Sequence, residues 1–153
     1  MKKTVKLYNV IMPIWLIFLY PTILWLFILP LNFLIDSLVV LIVKRVRKIE
    51  SCRRVWQSSI LKVWIFGFLS DFVGAGVVLL MELLLCEVID TYKFPGLTLI
   101  SLPGVLVAGV LIYLFNRYIS FRRCELERAD VKAMALWLAI ATAPYTMLIP
   151  VVF

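Results

Sequence analysis

Apolar residues dominate this chain in four long blocks, and the blocks predict its architecture. They cover residues 10–43, 63–85, 97–115 and 133–153. A helix that crosses a bilayer needs roughly 17–25 mainly apolar residues. Only helices and closed barrels satisfy all their backbone polar groups in lipid. The pattern therefore predicts an all-α integral membrane protein with a single membrane domain over residues 1–153.

Three blocks predict ordinary transmembrane helices, at about residues 60–86, 97–118 and 126–151. The first block is too long for one upright span, because its 34 residues would extend about 51 Å as a helix across about 30 Å of hydrocarbon. It also contains Pro13, Pro21 and Pro30, and each proline removes a helix hydrogen bond. We predict a proline-broken re-entrant hairpin over residues 9–48, with its apex near residues 27–30 and its second helix beginning at Pro30. A single kinked span is the alternative.

Lysine and arginine residues between the blocks predict the orientation, because cytoplasmic loops carry an excess of them. The N-terminus has three, residues 44–62 seven, residues 86–96 one and residues 116–132 five. With a re-entrant first block, fifteen of these residues lie on the cytoplasmic side and one lies outside. With a single kinked span, twelve lie on the cytoplasmic side and four lie outside. Both arrangements place segments 44–62 and 116–132 in the cytoplasm and the C-terminus outside. We therefore expect a multi-pass protein of the cell membrane, with anionic lipid at its cytoplasmic face.

The amino-acid composition supports a membrane protein and argues against several other functional classes. The chain is 64% hydrophobic with a mean hydropathy of +1.05, whereas soluble domains are roughly 45–50% apolar. The net charge of +7 does not predict nucleic-acid binding, because the basic residues flank apolar spans and no basic fold motif is present. The chain has no histidine, and its three cysteines form no CxxC pair. This argues against a zinc site, a disulfide framework and Ser-His or Cys-His catalysis.

The most informative single residue is Asp36, the only charged residue between positions 7 and 43. A carboxylate at membrane depth costs at least ~2.5 kcal/mol and is read as functional by default. Asp36 precedes Lys44 by about 12 Å of helix, and Asp71 follows Lys62 by about 13.5 Å. If both lysines mark the same interface, the two carboxylates lie at one depth.

Oxygen-bearing side chains predicted near this depth form the candidate ion or proton site. Its members are Asp36, Asp71, Asn32, Ser37, Ser70, Thr142 and Tyr145. Two neighbouring carboxylates in a low dielectric cannot both ionise cheaply, so they favour a shared proton or a hard cation such as Mg²⁺, Ca²⁺ or Na⁺. Glu82 is predicted at the outer interface, where it could mark an outer access point. No catalytic residue is assigned, and the identity of any metal is left open.

A structural interpretation of the same residues also stands. Asp36 could accept a hydrogen bond from a Trp, Tyr or Ser side chain and only fix the helix packing. Asp71 could form a salt bridge with Arg117 or Lys62. In that case the polar residues would hold helices together and carry no ion.

The leading functional prediction is an oligomeric ion- or proton-coupled transporter or channel-like protein. A homo-oligomer or other membrane subunits are expected, because so few spans could hardly enclose a path. The alternative is a non-catalytic accessory or interaction protein, such as an assembly factor, an immunity protein or a small subunit. The third candidate is an intramembrane hydrolase that uses the Asp pair, although an enzyme is not the favoured class. The expected cofactor is a hard cation or none.

Overall fold

Four long helices make up the computed structural model, which describes residues 23, 25–49, 52–85, 95–122, 124 and 126–148. Four helical segments are long and apolar enough to cross a membrane, namely Trp25–Val46, Val55–Leu85, Gly96–Ser120 and Arg128–Leu148, so the chain is a small polytopic membrane protein. The described residues contain no strand. The helices are α1 Trp25–Val46, α2 Cys52–Leu85, α3 Gly96–Phe115 and α4 Arg128–Thr142. A π-helical turn, Asn116–Ser120, extends α3, and a 3₁₀ turn, Tyr145–Leu148, follows α4.

α1 continues without a break through the predicted hairpin apex, so the prediction of an apex near residues 27–30 is wrong. The helix begins at Trp25, and Pro30 lies inside it. A proline within a membrane helix removes one backbone hydrogen bond, and neighbouring groups can make up for the loss. α1 has 22 residues, which gives about 33 Å of helix and matches the hydrocarbon thickness of about 30 Å. The predicted first arm, residues 9–22, lies outside the described residues.

α2 and α3 form the closest helix pair, and small residues are the reason. A β-carbon added at Gly74 would lie 2.8 Å from the carbonyl oxygen of Gly104 and 2.9 Å from the Cβ of Ala108. Glycine at this crossing lets the two backbones approach closely, as in other membrane helix pairs. Phe66 and Phe115 stack further along the antiparallel pair, with ring centroids 5.1 Å apart.

α4 closes the bundle against α1 and α3. Near its start, Asp130 accepts a hydrogen bond from Arg47, 2.8 Å away at the end of α1. The helix ends at Thr142, since Ala143 is extended with ψ 145° and Pro144 follows. A residue before proline is pushed out of the helical region, which explains why the predicted helix to residue 151 breaks here.

Arginine and lysine residues collect at one end of the bundle, where α1 and α3 end and α2 and α4 begin. We call this the basic end. An apolar cluster fills the half of the bundle near it, and a second cluster fills the other half. The first contains Val40, Val43, Val55, Val63, Ile112, Phe121, Met134 and Leu138. The second contains Ala75, Val78, Ile100, Val105 and Met147.

Candidate functional site

Asp36 lies in the middle of α1 on the face that packs into the bundle. The buried residues of α1 recur at steps of three and four, namely Asp36, Ser37, Val40, Val43 and Lys44. This spacing puts them on one side of a helix. Asp36 is 5% exposed and stands eleven residues from Trp25 and ten from Val46. The fold therefore turns this carboxylate inward at the centre of a candidate membrane span.

Gly67 of α2 faces the Asp36 carboxylate. A β-carbon added at Gly67 would lie 3.7 Å from Oδ2 of Asp36. Aromatic side chains from the part of α1 before Asp36 also pack on α2. Trp25 packs on Phe68 with ring centroids 5.7 Å apart, and Phe33 packs on Trp64 at 6.2 Å. The contacts show that α1 and α2 run antiparallel.

Asp71 lies one helical turn after Gly67, and its carboxylate is close enough to that of Asp36 for the two charges to interact. It is 4% exposed. Helical side chains tilt toward the N-terminus of their own helix. Since α1 and α2 are antiparallel, the two side chains tilt toward each other. The two carboxylates therefore extend toward each other from facing helices, with Asp36 beside Gly67 and Asp71 one turn further along α2.

The pair has no basic partner among the described residues. The one salt bridge there joins Arg47 to Asp130, outside the pair. Oδ1 of Asp71 and Oγ of Ser37 are both buried without a hydrogen-bond partner. The hydroxyl of Ser70 donates to the Phe66 carbonyl 2.7 Å away instead of to a carboxylate. The two acids are thus left without a countercharge and with unused acceptor positions.

Two of the partners that a structural network would need are occupied elsewhere. Nε1 of Trp64 donates to the Leu29 carbonyl at 3.1 Å, not to Asp36. The Arg117 guanidinium donates to the Tyr113 hydroxyl at 2.6 Å and lies over the same ring. Arg117 therefore does not form the predicted salt bridge with Asp71.

Two other predicted members of the site, Thr142 and Tyr145, are not brought to the pair, and Glu82 was predicted away from it. The Thr142 hydroxyl donates to the Leu138 carbonyl at 2.8 Å. The Tyr145 hydroxyl donates to the Ile140 carbonyl at 2.7 Å, and its ring lines a groove between α3 and α4. Glu82 lies eleven residues beyond Asp71 on α2, which is about 16 Å of helix. Asn32 is half-buried one turn before Asp36 and stays beside the pair on α1.

The carboxylates alone do not make a metal centre. No group of three or more Asp, Glu, Cys or His residues occurs among the described residues. Hard cations accept carboxylate, amide and hydroxyl oxygens and often keep water. A cation at this position would therefore use Asp36 and Asp71 with hydroxyl, amide or water ligands.

Several buried polar residues escaped the sequence prediction. Lys44 is 8% exposed on the same face as Asp36, two turns toward the basic end. Asn116 is fully buried, and its side-chain amide donates to the Ile112 carbonyl at 2.9 Å while its Oδ1 has no partner. Ser59 and Ser120 are also fully buried. Among these residues, only Lys44 has a signal in the sequence, because its spacing from Asp36 places both on one helix face.

Comparison with known proteins gives no relative for this arrangement. No family model matches the chain, and no significant match is found among curated proteins or solved structures. Its function is therefore inferred from its residues and their geometry.

Proposed function

We propose that this small membrane protein binds a proton or a hard cation between Asp36 and Asp71 and moves it across the bilayer. It would act as an oligomeric ion- or proton-coupled transporter or channel-like protein. The observation that carries the proposal is two buried carboxylates on facing helices, near the middle of the spans, whose charges interact and which have no basic partner among the described residues.

The energetics of this pair favour a bound positive charge. Burying an ionised carboxylate without compensation is very costly, and a second carboxylate nearby increases the cost. A structural network would satisfy these groups with donors, since buried polar side chains in proteins are nearly always hydrogen-bonded. Here Asp71 keeps an unpartnered buried oxygen. A proton or a cation shared by the two acids removes the unfavourable charge.

The distribution of buried polar residues supports access from the basic end. In the described chain, the buried polar side chains between the pair and this end are Ser37, Lys44, Ser59, Asn116 and Ser120. Only Ser101 is buried and polar on the other side. Asn116 Oδ1 and Ser120 Oγ have no hydrogen-bond partner. Polar groups inside a membrane protein often mark an ion or proton pathway.

Association with other copies would complete the path. Each carboxylate is almost fully covered by its own chain, so an ion reaches it only when helices move or when a neighbouring subunit helps to line the way. The outward faces of all four helices carry exposed large apolar side chains. Such faces suit contact with lipid or with other membrane helices.

Reconstitution into liposomes tests the proposal. Purified protein is placed in vesicles with an internal pH-sensitive dye, and flux is driven separately by a proton gradient and by Na⁺, Mg²⁺ or Ca²⁺ gradients. We expect flux of one of these ions, and we expect Asp36→Asn and Asp71→Asn to reduce it to the level of empty vesicles. Asp130→Asn makes the same chemical change at the basic end and should keep the flux.

The accessory or interaction protein remains the second candidate, favoured by the near-complete burial of both carboxylates. It predicts no flux in the wild type and a loss of stability or assembly in Asp36→Asn and Asp71→Asn. An intramembrane hydrolase would need an opening for a scissile bond beside the carboxylates. Their exposure of 5% and 4% leaves no such opening, and we do not extend the proposal to an enzyme.

A further inference from the structure

An arginine-lined cavity of about 560 Å³ opens at the basic end, between the end of α3 and the start of α4. Arg117, Arg122 and Arg128 line it, together with Tyr118 and Cys124. Asp130 stands in the first turn of α4 and is paired with Arg47 outside the cavity. The groups of the cavity that can attract an anion are therefore its three guanidinium groups.

Arg117 is held in place to receive a ligand. Its Cζ lies 5.6 Å from the ring centroid of Tyr113 and 5.2 Å from that of Tyr118. It donates a hydrogen bond to the Tyr113 hydroxyl, which leaves most of its donors unused. None of the three arginines forms a salt bridge with a described carboxylate. Arginine donors in this fork geometry fit phosphate oxygens.

Tyr113, which accepts the hydrogen bond from Arg117 of the cavity, lines an apolar groove of about 350 Å³ between α3 and α4. Val105, Gly109 and Val110 line the groove on α3. From Val105 to Tyr113 the groove follows about 12 Å of helix, most of the depth of one leaflet, which is half of about 30 Å. A free phosphate ion would have no use for this apolar extension.

We propose that the cavity and the groove together bind one anionic phospholipid. Its headgroup phosphate lies among Arg117, Arg122 and Arg128, and one acyl chain lies in the groove between α3 and α4. Basic pockets between transmembrane helices on the cytoplasmic side bind anionic headgroups. This site is separate from Asp36 and Asp71, and the proposal does not depend on ion transport.

Native mass spectrometry of the full chain in an uncharged detergent tests the site. The protein is titrated with phosphatidylglycerol or with phosphatidylcholine of the same acyl chains. We expect one tightly retained phosphatidylglycerol per chain and weaker retention of phosphatidylcholine. The double variant Arg117→Gln, Arg128→Gln should bind phosphatidylglycerol at least about tenfold more weakly. Arg45→Gln, an exposed arginine outside the cavity, should bind as the wild type does.

Two further experiments distinguish binding of a phospholipid from binding of free phosphate. Val110→Trp fills the groove from an exposed position and should weaken phosphatidylglycerol binding, whereas Leu102→Trp, an exposed position on the same helix outside the groove, should not. Inorganic phosphate at millimolar concentration should fail to displace the lipid. Displacement by inorganic phosphate, or full binding in Val110→Trp, would overturn the lipid assignment.

Cys124 gives a local readout that needs no arginine substitution. In a Cys52→Ser, Cys86→Ser background, alkylation of Cys124 is followed in vesicles of phosphatidylcholine with and without phosphatidylglycerol. Occupation of the cavity should slow the alkylation several-fold when phosphatidylglycerol is present. Equal alkylation rates in both vesicles, or unchanged lipid retention in the double arginine variant, would contradict the proposal.

Discussion

A carboxylate inside a membrane protein is stable only when a proton, a cation, water or a donor group offsets its charge. For Asp71, the described side chains offer no such donor to Oδ1, and Asp36 adds a second acid. Neither Trp64 nor Arg117, which could have supplied a donor, is directed at the pair. A bound proton or cation therefore accounts for these residues better than helix packing does.

The first prediction concerns stability after neutralising Asp71. Asp71→Asn keeps the shape of the side chain and removes the buried charge, so thermal unfolding in detergent should occur at the same temperature or higher. Asp130→Asn removes the acceptor of the Arg47 salt bridge and should lose about 0.2–1 kcal/mol. If Asp71→Asn instead loses about 1–3 kcal/mol, the expected effect of removing a structural acceptor, Asp71 is a packing residue.

Gly67 offers a second test at the residue scale. Its position 3.7 Å from Asp36 Oδ2 allows a methyl group in ordinary contact, and alanine favours the helix by about 0.8–1.0 kcal/mol. Gly67→Ala should therefore fold stably while reducing the space beside the Asp36 carboxylate. We expect preserved stability with reduced ion flux in liposomes. Full flux in a stable Gly67→Ala protein would show that the ion does not pass this point.

Among the helices, the crossing of α2 and α3 gives the sharpest contrast between matched substitutions. Gly74→Ala would place its methyl 2.8 Å from the Gly104 carbonyl oxygen, and such overpacking typically costs about 1–3 kcal/mol. Gly76 has no atom within 4 Å of an added β-carbon, so Gly76→Ala should gain up to about 1 kcal/mol of helix stability. Denaturant titration in mixed micelles measures both. Equal stability of the two variants would argue against this crossing.

The two prolines Pro30 and Pro144 show how far the sequence predicts helix ends. Pro30 was expected to begin a new helix but lies inside α1, whereas α4 ends just before Pro144. At Pro30 the preceding residue, Leu29, stays helical, and its carbonyl also accepts the Trp64 hydrogen bond. A proline signals a lost hydrogen bond, but tertiary contacts decide whether the chain bends there. These contacts are not visible in a single sequence.

For the whole molecule, apolar length and charge predicted the helical membrane class and brought out Asp36 and Asp71. Counting helix length from the basic residues at the interface predicted which residues lie at the same membrane depth. It did not predict which way their side chains point. This is why Thr142 and Tyr145 were included although their hydroxyls bond to carbonyls near their own helix. The position of Gly67 beside the Asp36 carboxylate and the burial of Asn116 depend on how helices face each other. Spacing along one helix does not determine that.

The orientation of the bundle is a prediction about the whole molecule. The excess of lysine and arginine should place the basic end in the cytoplasm. Single-cysteine variants are labelled with a membrane-impermeant maleimide in intact cells and in inside-out vesicles. Cys124 should react only in inside-out vesicles, and Cys86, in the predicted outer loop, only in intact cells. The reverse pattern would invert the proposed direction of access to the carboxylates.

The central claim is that Asp36 and Asp71 form one ion-binding site, and the most direct test is a double-mutant comparison of flux. Wild type, Asp36→Asn, Asp71→Asn and the double variant are reconstituted at equal density, and the initial rate of ion flux is measured. If the two residues form one shared site, the wild-type protein should conduct the ion and all three variants should lose flux equally and almost completely. Removing either carboxylate would disable the whole site. Flux that persists in either single variant, or that falls in independent steps to the double variant, would contradict it.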